Sequence, residues 1–312
     1  MNLSANKNEN QEHYYNLYKE LYSVVKLSMT LQIDKVAIDN IIREIVRAFM
    51  HDNYNPLLLH FYSLSTTNYL ISHIVNNVTL AIAFGCSIDL SEKNLHNLGL
   101  VSFCHDFGMI EYTHLFQKDS KLSSSENKTL QDHPAKSVEI FKDIFSEHVL
   151  DGIADTHEQV NGQGYPKGKS GPEIQLLSKI VSICDVYEAL THQRIFRQQI
   201  IPYEAMKLII AQKDKFFDDK IVKRFVDFMS IYPIGSLVYL NTGEIGIVIG
   251  SNYGYPTRSI IQILLTSNKE IEQSEKISNL LTEKMIYVNK PVPAAEEKEL
   301  LKILKPRGTI EL

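Results

Sequence analysis

Six side chains in this 312-residue chain have the types and the order to hold metal ions: His73, His105, Asp106, His133, His157 and Asp185. The tightest cue is Val101-Ser102-Phe103-Cys104-His105-Asp106-Phe107-Gly108-Met109, an apolar run ending in an adjacent imidazole and carboxylate, with a glycine close behind. Helices stop readily at glycine, so the pair stands where a buried helix ends. Neighbouring helical residues point about 100° apart, which lets the two approach one ion from two sides. The others extend or adjoin apolar stripes. His73 shares a face with Leu70, Ile74, Asn77, Val78 and Ala81, and His133 precedes Pro134 at a helix junction. His157 follows Val149 and Ile153 at four-residue steps, and Asp185 follows Leu177 and Val181 in the same way. One such residue is ordinary packing. Six on successive helices read as side chains converging inside a bundle, and a carboxylate on an apolar stripe is rarely buried without a partner.

Four imidazoles and two carboxylates with no cysteine among them favour Mn, Fe or Zn over an iron–sulfur cluster. Six ligands serve two ions if a carboxylate bridges, and Asp106, beside His105, is the natural bridge. Two ions roughly 3.5–4 Å apart can hold a hydroxide as nucleophile and stabilise both the attacking and leaving oxygens of a phosphodiester. The residues alone predict a metal-assisted phosphohydrolase.

The elements that must position these residues are mostly helical. Residues 1–12 are polar and expected to be disordered. From Tyr14 to Met50, Leu17, Leu21, Val24 and Val25, then Ile38, Ile41, Ile42, Ile45, Val46 and Phe49, recur at helical steps. They predict helices forming a cap or docking module, with Tyr14, Tyr15, Tyr18 and Tyr22 as packing. Asn55-Pro56 breaks the pattern, and a long helix is expected over Leu57–Phe84. Ser91 is an N-cap with Glu92 in the first turn. Residues 113–123 read as a loop, and Ser123-Ser124-Ser125-Glu126 as a capping box. Beyond Met229, short β runs with turn residues between them predict a small β module. The charged tail reads as a short helix, with Glu296-Glu297-Lys298-Glu299 on a solvated face. The expected fold is mainly α: an N-terminal helical module (1–60), a helical bundle bearing the ligands (61–228), a β module (229–293) and a charged tail (294–312).

With 44% hydrophobic and 22% charged residues the composition is that of an ordinary globular protein. The net charge of −5 gives no basic field for nucleic acid. Cys86, Cys104 and Cys184 lie in apolar runs, an odd set that fits a reducing cytoplasm. No signal peptide is read at the N-terminus, and no apolar run of the ~18 residues a membrane span needs. A cytoplasmic protein is expected.

The order His73 … His105-Asp106 … Asp185 resembles the HD superfamily of metal-dependent phosphohydrolases. His133-Pro134, His157-Glu158, Asn161-Gly162-Gln163-Gly164-Tyr165-Pro166 and Asp185-Val186-Tyr187-Glu188-Ala189-Leu190-Thr191 … Arg194-Ile195-Phe196-Arg197 resemble its HD-GYP branch. The resemblance covers about residues 61–228 and implies an HD-type bundle that hydrolyses cyclic di-GMP to pGpG or GMP with two divalent ions, Fe or Mn. It implies metal ligation by His73, His105, Asp106, His133, His157 and Asp185. Tyr165 would shape the site wall, Arg194 and Arg197 would face phosphates or guanines, and Glu158 would act catalytically by orienting a ligand histidine. Asp106 would be the central catalytic carboxylate. The β region is similar to an extension that follows some HD-GYP domains. The chain departs from the branch at Tyr69, where trimetal members carry Glu. It departs again at Met109, where Lys is frequent, at Thr156, where a tandem histidine is usual, and at Asn161, where Asp is usual. These departures leave room for an alternative, a protein of the same fold that senses cyclic di-GMP or docks on a partner such as a diguanylate cyclase. A homodimer through the N-terminal helices is also compatible. A third reading is an HD hydrolase acting on another nucleotide, and the Gly-Tyr-Pro loop argues against it.

Overall fold

The structure is a computed structural model that describes residues 3–51, 68–116, 122–192 and 199–304, with side chains from residue 12 onward. The chain opens with α1 (Leu3–Ser28) and α2 (Lys35–His51), then α3 (Tyr69–Ser87) and α4 (Glu92–Cys104). A 3-10 turn (Phe107–Tyr112) leads into α5 (Thr113–Phe116), α6 (Ser124–Leu130), α7 (His133–Phe141) and α8 (Glu147–Ala154). After α9 (Leu176–Thr191), α10 (Pro202–Ala211) and α11 (Asp219–Met229) come the strands β1 (Leu237–Leu240), β2 (Ile245–Gly250), β3 (Ile260–Leu265), β4 (Ile277–Asn279) and β5 (Val288–Pro291). Helix α12 (Ala294–Leu304) follows. The fold is thus mainly α with a small C-terminal antiparallel sheet, as the patterning predicts.

Helix α3 is the centre of the bundle, buried all round from Leu70 to Cys86. The Asn68 side chain caps it, accepting from the Ile71 N–H at 3.4 Å. By length and composition this helix could cross a membrane, contrary to the sequence expectation that no run suffices, but 94% of its apolar window is covered by protein. The helices α1, α4 and α9 pack against it. The predicted caps form: Ser91 accepts from Asn94 N–H at 3.4 Å, and Ser123 with Glu126 makes a complete capping box.

Two expectations about the extent of the helices need correction. Helix α1 starts at Leu3 and is not preceded by a disordered stretch to residue 12. Once Tyr14, Leu17, Tyr18, Leu21 and Val25 are docked in the core, extending the helix upstream costs little, since nucleation is already met. Residues 113–116 are helical because Leu115 turns into the core. The long central helix is described from Tyr69; the expected part from Leu57 to 67 lies outside the described residues. Helices α1 and α2 share one continuous apolar core with the bundle. Burying each large aliphatic side chain of α2 contributes about 1.5–3 kcal/mol.

The sheet runs β4-β3-β2-β1-β5, with Leu237 opposite Ile247 and Val248 opposite Ile261. Alternation along the strands sends Val238, Leu240, Val248, Ile261 and Ile263 to the helical core. Leu237, Ile245, Ile247 and Leu264 face the other way, where Leu300, Leu301 and Leu304 of α12 cover them. The tail helix therefore docks. Its acidic run is not wholly solvated: Tyr239 Oη donates to Glu296, and Glu297 is half-buried.

Burial pushes the Glu297 carboxyl from 4.5 up to about 7. A raised carboxyl binds its proton more tightly folded than unfolded, so its contribution to docking is full below pH ~4.5 and is lost as pH rises through about 7. Glu297→Gln is expected to slow amide exchange in α12 at pH 8 and leave it unchanged at pH 4.5. Equal effects at both pH values would show that the carboxyl does not titrate there.

Candidate metal centre

The bundle brings all six predicted ligands to one place. His73 comes from α3, His105 and Asp106 from the end of α4, His133 from the first position of α7, His157 from just past α8, and Asp185 from α9. The donor atoms form two sets, His73/His105/Asp106/Asp185 and Asp106/His133/His157, each lying within 4.8 Å of one another. Asp106 belongs to both. Its Oδ2 faces His73 Nε2 at 3.2 Å. Its Oδ1 faces Nε2 of His105, His133 and His157 at 3.4, 3.3 and 3.6 Å. Asp185 Oδ1 lies 3.1 Å from His73 Nε2, and its Oδ2 reaches towards His157 Nδ1 at 4.0 Å.

Three of the imidazoles are oriented from behind. His105 Nδ1–H donates to the Ser102 carbonyl at 2.8 Å, His133 Nδ1–H to the Leu130 carbonyl at 2.7 Å, and His73 Nδ1–H to Glu188. With Nδ1 carrying the proton, the Nε2 lone pairs are left for the cluster, the tautomer a metal ligand needs. His133 Nε2 and His157 Nε2 converge to 2.8 Å.

The charge balance suits a cation. Burial opposes ionisation of Asp106, but His105 and the hydrogen bonds from His133, His157 and His73 hold its carboxyl well below the usual range. Burial also opposes Asp185 and Glu188, and His73 overrides it in both. Burial pulls His105 down, against the pull of Asp106 and Asp185. The Oδ1 atom of Asn77 is buried without a hydrogen-bond partner among the described residues, while Nδ2 of the same amide lies 3.3 Å from His105 Nε2. An uncompensated acceptor on the amide that meets His105 is one that a divalent ion's water would satisfy. The residues fit Mn, Fe or Zn.

The Gly-Tyr-Pro loop closes one side. The Tyr165 ring stacks on His157 (centroids 5.1 Å apart, 6° between planes) and meets His133 edge-on at 6.1 Å. Burial and the two aspartates push its hydroxyl up, so it stays neutral. Glu158 does not orient a histidine as expected. Its two oxygens accept the Lys167 and Lys169 backbone N–H groups at 2.7 and 2.9 Å. It sits past the end of α8, where its side chain meets the returning loop. Lys169 Nζ adds a 2.7 Å bond to the buried Asp155. Gly164 lies so close to this support that a Cβ there would come 2.3 Å from Gln159 N. The carboxylate that does brace a histidine of the cluster is Glu188, buried on α9 three residues beyond Asp185.

The departures have structural roles. Tyr69 stacks on the His73 ring at 5.5 Å, Thr156 donates to the Gly152 carbonyl at 3.0 Å, and Asn161 Oδ1 accepts from Gln163 N–H at 3.0 Å. Met109 packs half-buried against the core. Arg194 and Arg197 lie outside the described residues.

A helical bundle that gathers histidines and aspartates from successive helices, with an adjacent His-Asp pair at its heart, defines a class. The HD-domain profile matches residues 64–221, about half of the chain. The chain belongs to the HD-domain family. The profile of a KOW domain associated with HD domains matches residues 237–300, the sheet and most of α12. A cyclic di-GMP phosphodiesterase of Pseudomonas aeruginosa is 31% identical over 196 residues, which is 62% of this chain and 47% of that protein. The cyclic di-GMP phosphodiesterase PdeB of Borreliella burgdorferi is 23% identical over 215 residues, 68% of this chain and 57% of that one. A 3'3'-cGAMP-specific phosphodiesterase of Vibrio cholerae is 33% identical over 132 residues, 42% of this chain and 30% of that one. The chain thus spans about half the length of the first two relatives. Among solved structures, Bd1817, an HDG"Y"P protein of Bdellovibrio bacteriovorus, superposes with a TM-score of 0.58 at 20% identity, over 69% of this chain and 71% of that one. At that identity the likeness concerns the fold. Family membership supports a metal-dependent phosphohydrolase.

Proposed function

We propose that the chain hydrolyses cyclic di-GMP to pGpG or GMP with two divalent ions, Fe or Mn. The observation that carries this reading is the position of Asp106, whose two oxygens face different histidines. His73, His105, Asp106 and Asp185 would hold one ion, and Asp106, His133 and His157 the other. Ions bound there supply an activated water at neutral pH and neutralise the charge that builds on the phosphoryl oxygens. The chain's own residues do the rest. Glu158 and Asp155 hold the Gly-Tyr-Pro loop, and Tyr165 offers a flat neutral ring as a wall for the nucleotide. Arg194 and Arg197 would take the phosphates or guanines, which a planar guanidinium suits. The names of the relatives support a cyclic dinucleotide substrate. The buried free thiols Cys86, Cys104 and Cys184 support a reducing, cytoplasmic setting.

Met109 favours a second reading. It follows the His-Asp turn without a charge to offer phosphate, as expected of a cyclic di-GMP sensor that signals through a partner such as a diguanylate cyclase. Incubating protein purified without oxygen and loaded with Fe(II) or Mn(II) with cyclic di-GMP, and separately with 3'3'-cGAMP, decides between them. The proposal expects pGpG or GMP, formed faster than any product from 3'3'-cGAMP. Retention of cyclic di-GMP without product would favour the sensor, and turnover of 3'3'-cGAMP alone would overturn the substrate assignment.

A further inference from the structure

Helix α1 reaches the metal centre through a buried hydrogen-bonded path. Tyr18 is 4% exposed on α1 and lies outside the residues that match the HD-domain profile. Its hydroxyl donates to Asn76 Oδ1 at 3.2 Å. Asn76, wholly buried on α3, donates through Nδ2 to Glu188 Oε1 at 3.0 Å. Oε2 of the same carboxylate takes Nδ1 of His73, and His192 Nδ1 lies 3.3 Å from Oε1. The chemistry fixes the amide orientation. An ionised carboxylate only accepts, so the edge of Asn76 that faces Glu188 must be its NH2 group, and its oxygen is left for the phenol.

We propose that Glu188 and Tyr18 are positioning residues of the metal centre. Glu188 fixes the His73 ring with Nε2 turned to the cluster, and Tyr18 holds Asn76 in register against Glu188. The proposal rests on reading the cluster as a metal site. A carboxylate behind a ligand histidine sets its tautomer and raises its basicity, and losing one costs about 10–100-fold in metal affinity. Tyr18 acts one step further back. Without its hydroxyl, Asn76 Oδ1 becomes a buried acceptor with no donor, and the amide is free to turn away from Glu188. The N-terminal helix is then part of the site's construction, and a displacement of α1 is felt at His73.

The test is Mn(II) affinity of the full chain, measured by chelator competition, together with the EPR spectrum of the bound ion. Glu188→Gln is expected to weaken binding about 10–100-fold. Tyr18→Phe, which keeps the ring in the core, is expected to weaken it about fivefold, the equivalent of one hydrogen bond, and to shift the spectrum in the same direction. In the Glu188→Gln background, Tyr18→Phe should add nothing further, because the path is already cut. Unchanged affinity in Tyr18→Phe, or the same loss in both backgrounds, would overturn the proposal while leaving the metal site intact. No Mn(II) bound by the unaltered chain would instead overturn the metal reading on which it rests.

Discussion

Asp106→Ala is expected to abolish turnover of a cyclic dinucleotide, by roughly 10³-fold or more, and to strip both ions from the chain. The size follows from position. Removing a group that only orients a ligand costs about 10–100-fold in metal affinity, whereas Asp106 is itself a donor in both sets. Its loss also removes the carboxylate that Nε2 of His105, His133 and His157 faces, and one of the two that His73 Nε2 faces. Substituting a residue of one half alone, such as His133→Ala, should spare the ion held by His73, His105, Asp106 and Asp185. Equilibrium dialysis against Mn(II) reads the difference directly: near zero ions for Asp106→Ala and about one for His133→Ala. Two ions retained by Asp106→Ala would refute the shared-carboxylate arrangement.

Gly108→Ala is expected to be nearly as damaging, through geometry alone. A Cβ at Gly108 would lie 2.1 Å from the His133 carbonyl oxygen, 2.7 Å from Lys136 Cβ and 2.9 Å from Ser137 N. Two of those neighbours are backbone and cannot swing aside. The contact is close because Ser137 ties the helices together: its Oγ accepts the Gly108 N–H at 2.8 Å and donates to the His105 carbonyl at 2.8 Å. An added methyl must lever α7 away from the His-Asp turn, at about 3 kcal/mol, the upper end of overpacking costs. The displaced residue is His133, so the half of the site that it serves should weaken as well. Urea unfolding of metal-free protein and a Mn(II) count measure the two effects separately. Unchanged stability would mean that α7 yields without strain.

The candidate ligands were legible because each lies on a helix or within a turn of its end, so that an apolar period gives its inward direction: His157 continues Val149 and Ile153, and Asp185 continues Leu177 and Val181. The helix starts at Ser91 and Ser123 were legible for a similar reason, since capping is local chemistry. What joins parts distant along the chain was not. Glu188 lies one helical turn past Asp185 on the same face, and a carboxylate on that buried face was a visible signal. Its partners on α3, His73 and Asn76, are 115 and 112 residues away and give no local cue. Glu158, adjacent to His157 in sequence, invited the role that Glu188 fills. Past the end of α8, adjacency no longer fixes direction, and the carboxylate turned to the loop instead. The same holds at the two ends of the chain. The periodicity of α1 showed a buried face but not that Tyr18 meets Asn76, and the charges of α12 hid the leucines that dock it on the sheet.

The most direct test of the account is cyclic di-GMP hydrolysis measured against metal loading from zero to two equivalents, without oxygen, with bound metal counted at each point. The account predicts that hydrolysis follows filling of both halves around Asp106 and reaches its maximum at two ions per chain. Full activity at one ion, or none at two, would contradict it.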